Sequence, residues 1–288
     1  MSSLLLQLAV LGVALAAAAL ILISFVAFIT ATKMPHLHQH EEEKFFLNAR
    51  GQKETLPSIW DSPTKRLSVV VPSYNEEKRL PVMMDEALGY LEERQKQDPT
   101  FTYEVIVVND GSKDQTSKVA FKYCQKYGSD KVRVITLVKN RGKGGAIRMG
   151  IFSSRGEQIL MADADGATKF PDVEKLEKGL NDLQPWPVSI RIYMSFCETC
   201  QGRDLITLCL FKNKNQYIFC FRAFDVELLY IAQFFKIPIA EIAVNWTEIE
   251  GSKLVPFWSW LQMGKDLLFI RLRYLTGAWR LEQTKKMN

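Results

Sequence analysis

Four short apolar runs rich in β-branched residues recur between residues 67 and 162: LSVVVP (67–72), YEVIVV (103–108), VRVITL (132–137) and QILMA (158–162). Between them lie stretches that read as helices, Leu80 to Lys96, Asp114 to Tyr127 and Gly145 to Arg155. Strands alternating with helices of this length predict βαβ units and a parallel sheet. The crossovers are right-handed, so all four strands run the same way. The expected fold class is α/β: a Rossmann-like, mostly parallel sheet with helices on both faces.

Outside this region the pattern changes. From Leu4 to Thr32 no residue is charged. A helix of about 20 apolar residues crosses the hydrocarbon core of a bilayer. A cleaved signal peptide is the competing reading, but its apolar region would run about 7–15 residues behind a basic residue. The run is therefore read as an uncleaved transmembrane anchor, residues 1–32. Lys33, Lys44 and Arg50 follow it, and counting Lys and Arg alone puts the long C-terminal part in the cytosol. Residues 33–65 lack hydrophobic periodicity, contain Pro35, Pro57 and Pro63, and read as a linker. His36, His38 and His40 alternate there, but no carboxylate or cysteine completes a metal site.

Composition narrows the picture further. Hydrophobic residues make up 47% of the chain, enough for a sizeable core, so disorder of the whole chain is excluded. The net charge of +5 suits an anionic small molecule or lipid surface. No nucleic-acid motif is present, and no nucleic-acid partner is expected. The odd count of five cysteines, unevenly spaced, does not read as a disulfide framework and fits a reducing compartment.

Each of the four strands is followed at once by a polar loop: SYNEE, NDGSKD, VKNRGKGG and DADGA. In open α/β sheets ligands bind outside the carboxyl ends of the strands. Taken singly, NDGS is a common turn and NRGKGG a flexible helix start. Glu76 and Glu77 alone read as first-turn charges. Together, at one sheet edge, the four make a coherent site. Residues two apart on a strand face the same way, so Asp163 and Asp165 would present both carboxylates together. Two such charges need a cation, and hard oxygen ligands favour Mg2+ or Mn2+. Lys143 and Arg141 would face the phosphates of a nucleotide, with the amides around Gly142 opening a helix whose N-terminus favours anions. The spacing is not that of a Walker A loop. Asp110 and Glu76 would accept hydrogen bonds from a base edge or ribose.

These motifs, VVVPSYNEE, VVNDGSKDQT, VKNRGKGGAIRMG and MADADGA in that order, resemble glycosyltransferase family 2 with its GT-A fold. The anchor, the segment after it and the stretch from Ala223 to Gln283 are similar to those members that glucosylate a lipid phosphate at the endoplasmic reticulum membrane. The resemblance implies UDP-glucose as donor, dolichyl phosphate as acceptor and inversion at the anomeric carbon. GDP-mannose is the alternative donor. It implies nucleotide-sugar contacts at Pro72, Tyr74, Glu76, Asp110, Arg141, Gly142, Lys143 and Asp163, and metal ligation by Asp163 and Asp165. Asp165 and Asp225 are implied as catalytic, and Lys253 as the contact of the acceptor phosphate. On this reading residues 66–187 form the nucleotide-sugar-binding half and 223–257 the acceptor side.

Residues 188–222 depart from the family, which has a longer stretch here with a basic strand and an acceptor-site motif. Weak or absent transfer is the expected consequence, with nucleotide-sugar binding retained. Cys197 and Cys200 have zinc-site spacing, but Cys209 and Cys220 are too far apart to complete it. Trp258, Trp260, Phe269, Tyr274 and Trp279 mix with Lys265, Arg271, Arg273 and Arg280, so residues 258–288 are expected to form an amphipathic helix at the membrane interface.

Overall fold

The structure, a computed structural model, describes residues 2–31, 39–182, 190–196, 205–211, 224–234, 236, 239–245, 247 and 256–279. It divides into two units, one made of residues 1–37 with 254–288, the other of residues 38–253.

The first unit holds α1 (Ser2–Ile29) and α7 (Pro256–Leu275). The span Leu4–Ile29 has mean hydropathy 2.7 and is, among the described residues, the one helix long and apolar enough to cross a membrane. Its leucines, isoleucines and phenylalanines are mostly exposed, while Ala27 is buried against α7. Arg273 donates from Nε to the carbonyl of Ala27 and from Nη2 to that of Thr30, both at 3.4 Å. Its guanidinium also lies 4.8 Å from the ring centre of Trp279. Such contacts satisfy helix-end carbonyls that the last turn of α1 leaves without partners.

The second unit is built on a seven-stranded sheet of order β5-β4-β3-β6-β7-β8-β9. Its strands are β3 (Lys65–Ser73), β4 (Tyr103–Asn109), β5 (Val132–Thr136), β6 (Gly156–Met161), β7 (Ile190–Phe196), β8 (Leu205–Phe211) and β9 (Ile239–Ala243). The first four are parallel, as the sequence pattern requires, and β7 joins β6 in parallel. The β7–β8 and β8–β9 pairs are antiparallel. Helices α2 (Leu80–Gln97), α3 (Thr116–Tyr127), α4 (Gly142–Phe152), α5 (Val173–Asp182) and α6 (Phe224–Phe234) accompany the strands. Val69 to Val71 and Val105 to Val108 are fully buried, as expected where helices cover both faces of a parallel sheet. Each such side chain contributes about 1.5–3 kcal/mol through burial. A Cβ at Gly150 would lie 2.3 Å from Cγ1 of Val70, so α4 sits on β3 at a distance only glycine allows.

The start of β4 carries a buried ionic cluster. Glu104 accepts from Ser68 Oγ at 2.6 Å, Arg133 Nη2 at 2.6 Å and Arg155 Nε at 2.8 Å. These bonds tie β3, β4, β5 and the α4–β6 connection together at the end of the sheet away from Asn109.

One segment differs from the sequence reading. Residues 39–60, within the stretch 33–65 read as a linker, are ordered and partly packed. They form a 3-10 turn at Glu41–Lys44 and a hairpin of β1 (Phe45–Leu47) and β2 (Lys53–Thr55), with Glu43, Phe46 and Ile59 buried. Strands of three residues are too short to show a period, and the hairpin turn is closed locally by Asn48, whose Oδ1 accepts the Arg50 and Gln52 amides. Ile190–Phe196 and Leu205–Phe211, within the stretch 188–222, form β7 and β8 of the sheet. Cys197, Cys200 and Cys220 lie outside the described residues.

Candidate active site

The loop after β3 is laced to the loop after β4. Asn75 adopts φ 55° and accepts the Lys113 amide at 2.9 Å through Oδ1, while its own amide donates to Ser112 Oγ at 3.0 Å. The amides of Glu76 and Glu77 donate to Thr116 Oγ1 and Asp114 Oδ2 at 2.9 and 3.2 Å. The Glu76 carboxylate takes a forked pair of bonds from Arg79, Nε at 2.6 Å and Nη2 at 2.5 Å. Pro72 lies within β3, and Tyr74 just past it is partly exposed.

The loop after β4 is in turn clamped to the one after β5. Asp110 is buried; its amide donates to the Ser73 carbonyl, and its Oδ1 accepts the Arg141 amide at 2.7 Å. Asn140 Nδ2 donates to the Asp110 carbonyl at 3.0 Å, and Asn140 Oδ1 accepts the Gly142 amide at 3.0 Å. Burial raises the Asp110 carboxyl above its ordinary value, against the lowering effect of the Arg141 and Gly142 amides. Gly111, at φ 68°, leaves room for this clamp: a Cβ there would stand 2.9 Å from the Asn140 nitrogen.

Helix α4 begins at Gly142, three residues before the expected start, so the glycine-rich stretch is itself its first turn. That turn carries Lys143, whose Nζ lies 2.6 Å from Asp163 Oδ1. The loop after β6 thereby meets the loop after β5. Both side chains are about half exposed, at 47% and 38%.

Asp163 and Asp165 do not sit on a strand. Strand β6 ends at Met161, and the two aspartates occupy a turn in which Gly166 takes φ 72° and Asp165 Oδ1 accepts the Ala167 amide at 3.0 Å. Turn geometry, not strand alternation, sets their directions. Beyond the turn, the Lys169 amide donates to the Asn245 carbonyl and the Thr247 amide to the Ala167 carbonyl, both at 2.9 Å. The described residues contain no cluster of three or more His, Cys, Asp or Glu that would hold a metal by protein groups alone. The two hard carboxylates fit the mode in which Mg2+ keeps one or two carboxylates and completes its shell with substrate phosphates and water.

Sequence reasoning missed three participants. Asn140 and Asn75 gave no signal beyond ordinary turn preference. Glu43 lies in an EEEK run that reads as solvated charge, yet it is fully buried and receives Arg141 Nη2 at 2.5 Å. The Arg141 guanidinium, expected on phosphate, is thus engaged by a carboxylate. Asp225 lies in the first turn of α6. Lys253 lies outside the described residues.

A ligand site outside the carboxyl ends of the strands is common to many open α/β sheets. The profile of glycosyl transferase family 2 matches residues 68–229, which contain all four loops. The chain belongs to glycosyltransferase family 2. It is 74% identical over 324 aligned positions to the dolichyl-phosphate beta-glucosyltransferase of Homo sapiens, with 100% of each chain covered. Identity to the protein of the same name from Mus musculus is 70%, with 99% of each chain covered. That from Drosophila melanogaster is 46% identical, with 94% of each covered. The human alignment spans 324 positions against 288 residues here, so about three dozen positions of that relative have no counterpart in this chain.

Proposed function

We propose that the protein transfers glucose from UDP-glucose to dolichyl phosphate, giving dolichyl β-D-glucosyl phosphate for N-glycan assembly. The observation that carries this reading is the 2.6 Å contact of Lys143 with Asp163. It joins a cationic helix start to an acidic turn at the sheet edge that also holds Asp110. The activity named for the relatives supplies the substrates.

The acceptor is already a nucleophile. Its phosphate is largely anionic near neutral pH, with a second pKa of about 6, so no strong base is required. One acceptor oxygen forms a bond to the anomeric carbon from the face opposite UDP. The bond from that carbon to the diphosphate oxygen breaks, and its electron pair leaves with UDP, which inverts the centre. Lys143 and the first amides of α4 stabilise the charge that gathers on the diphosphate. Asp163 and Asp165 would hold Mg2+ or Mn2+, which when bound supplies further positive charge to the same diphosphate. Asp110 and Glu76 orient the nucleoside side, with Pro72 and Tyr74 flanking it. Asp225 orients the acceptor, and Lys253 pairs with its phosphate.

Helix α1 serves as a single-pass signal anchor in the endoplasmic reticulum membrane, with residues 38–253 facing the cytosol. Exposed Leu261, Leu267, Leu268 and Leu275 accompany exposed Lys265 and Arg271 on α7, which supports lodging of α7 at the lipid–water interface.

The test is incubation of microsomes carrying this chain with radiolabelled UDP-glucose and dolichyl phosphate. Labelled lipid that appears with the native chain, fails with Asp165→Ala and is unaffected by excess GDP-mannose is the expected outcome. Label displaced by GDP-mannose would overturn the choice of sugar.

One observation favours a second reading. About three dozen positions of the human relative are missing here, and residues 188–222 lack the family's acceptor-site motif. On that reading this form binds UDP-glucose and transfers it weakly. UDP-glucose binding without labelled lipid distinguishes it from the first.

A further inference from the structure

Glu43 is a fully enclosed carboxylate near the four loops that the reaction does not use. It lies one turn before the hairpin of β1 and β2, far in sequence from the four loops, and its side chain is fully buried. Three donors converge on it. Oε2 receives Arg141 Nη2 at 2.5 Å and the His40 amide at 3.0 Å, and Oε1 receives the Val138 amide at 3.0 Å. Val138 and Arg141 bracket the loop that leads from β5 into α4. The same loop is held from its other side by Asp110, through the Arg141 amide at 2.7 Å. The guanidinium of Arg141 is steadied further by Met149 Sδ at 3.8 Å from Nη1.

We infer that Glu43 is a positioning residue for donor binding: it latches the 138–143 loop so that the first turn of α4 and Lys143 are held ready for the diphosphate. This inference rests on the donor reading of the loop. Its physical basis is that a buried carboxylate with charge-assisted bonds is held in one geometry, and that removing one partner leaves the other's charge buried and uncompensated. Arg141 then acts on the diphosphate through the loop rather than by touching it. The segment that carries Glu43, outside the four loops, becomes part of the donor half.

The experiment uses the full chain in detergent micelles, with UDP as probe in the presence of Mn2+. Calorimetric affinity and hydrogen exchange of the 137–144 backbone are measured for the native chain, Glu43→Gln, Glu43→Ala, Arg141→Ala and the Glu43→Ala/Arg141→Ala pair. Glu43→Gln keeps the volume and one accepting oxygen, so it guards against loss of folding. The expected result is a loss of UDP affinity of about tenfold for Glu43→Ala, as for one charge-assisted bond lost, and a smaller loss for Glu43→Gln. The double variant should fall no further than the worse single one. Exchange over 137–144 should rise in Glu43→Ala while that of β3 and β4 stays as in the native chain. Unchanged exchange in a chain that still binds UDP overturns the latch. Faster exchange with UDP affinity within twofold of native overturns the positioning role alone. A native chain that binds no UDP overturns the donor reading itself and the role built on it.

Discussion

The ammonium of Lys143 and the Oδ1 of Asp163 lie 2.6 Å apart, the one on the first turn of α4 and the other in the turn beyond β6. Both are about half exposed, so the pair contributes little to stability, on the order of 0–1 kcal/mol. What it does is hold a cation beside an acidic turn where four loops meet. Lys143→Ala should therefore leave the unfolding transition nearly unchanged. It should weaken UDP-glucose binding by about 10- to 100-fold, the effect of one charge-assisted bond to phosphate. Calorimetry and a denaturant melt on the same preparation check both halves.

Gly111 tests the clamp between neighbouring loops. It holds φ 68°, and an added Cβ would meet the backbone of Asn140 and Lys139 at 2.9 and 3.2 Å. Gly111→Ala should cost about 1–2 kcal/mol for the left-handed conformation alone. It should also push the 139–143 segment away from Asp110. Loss of UDP-glucose affinity larger than the loss of stability is the expected pattern, measured by titration and urea unfolding.

The Glu104 cluster predicts the acid response. Burial alone would raise this carboxyl, but Arg133, Arg155 and Ser68 hold it below the usual value. A carboxylate depressed in the fold contributes stability that is present above its unfolded pKa and is lost as pH falls through the folded value. Asp110 runs the other way: burial raises it, so its charged form costs stability above the folded value and protonation relieves that cost. Glu104→Gln should destabilise by about 3–5 kcal/mol, because Arg133 remains buried without its partner. It should also flatten the loss of stability in acid. Urea melts between neutral pH and the acid limit of the native chain measure it. Donor affinity should not change, since the cluster lies at the other end of the sheet.

On the second reading, in which this form transfers glucose weakly, residues 188–222 predict a gain rather than a loss. Replacing them with the corresponding stretch of the human relative should raise glucose transfer to dolichyl phosphate well above that of the 288-residue chain. UDP-glucose affinity should stay within about threefold, a shift of under 1 kcal/mol. The radiolabelled lipid assay and a binding titration, run side by side, separate the two.

Much of this was legible in the sequence. Strands β3 to β6 begin and end within two residues of the apolar runs, because a parallel sheet covered on both faces leaves no polar interruption. The four loops were legible as a set because a parallel sheet brings all its strand ends to one edge. The start of α4 was not, since glycine has poor helix propensity and reads as loop. The directions of Asp163 and Asp165 depend on a turn, to which strand alternation does not apply. Glu43 was hidden for a different reason. Its burial comes from packing between segments 95 and 98 residues apart, a long-range fact with no local period.

The most direct test of the central claim is the Mn2+ dependence of UDP affinity, measured by calorimetry for the native chain and for Asp165→Asn, which keeps an oxygen for the Ala167 amide. The account predicts that Mn2+ tightens UDP binding to the native chain by at least about tenfold and has little effect on the variant. Equal tightening of both chains by Mn2+ would contradict it.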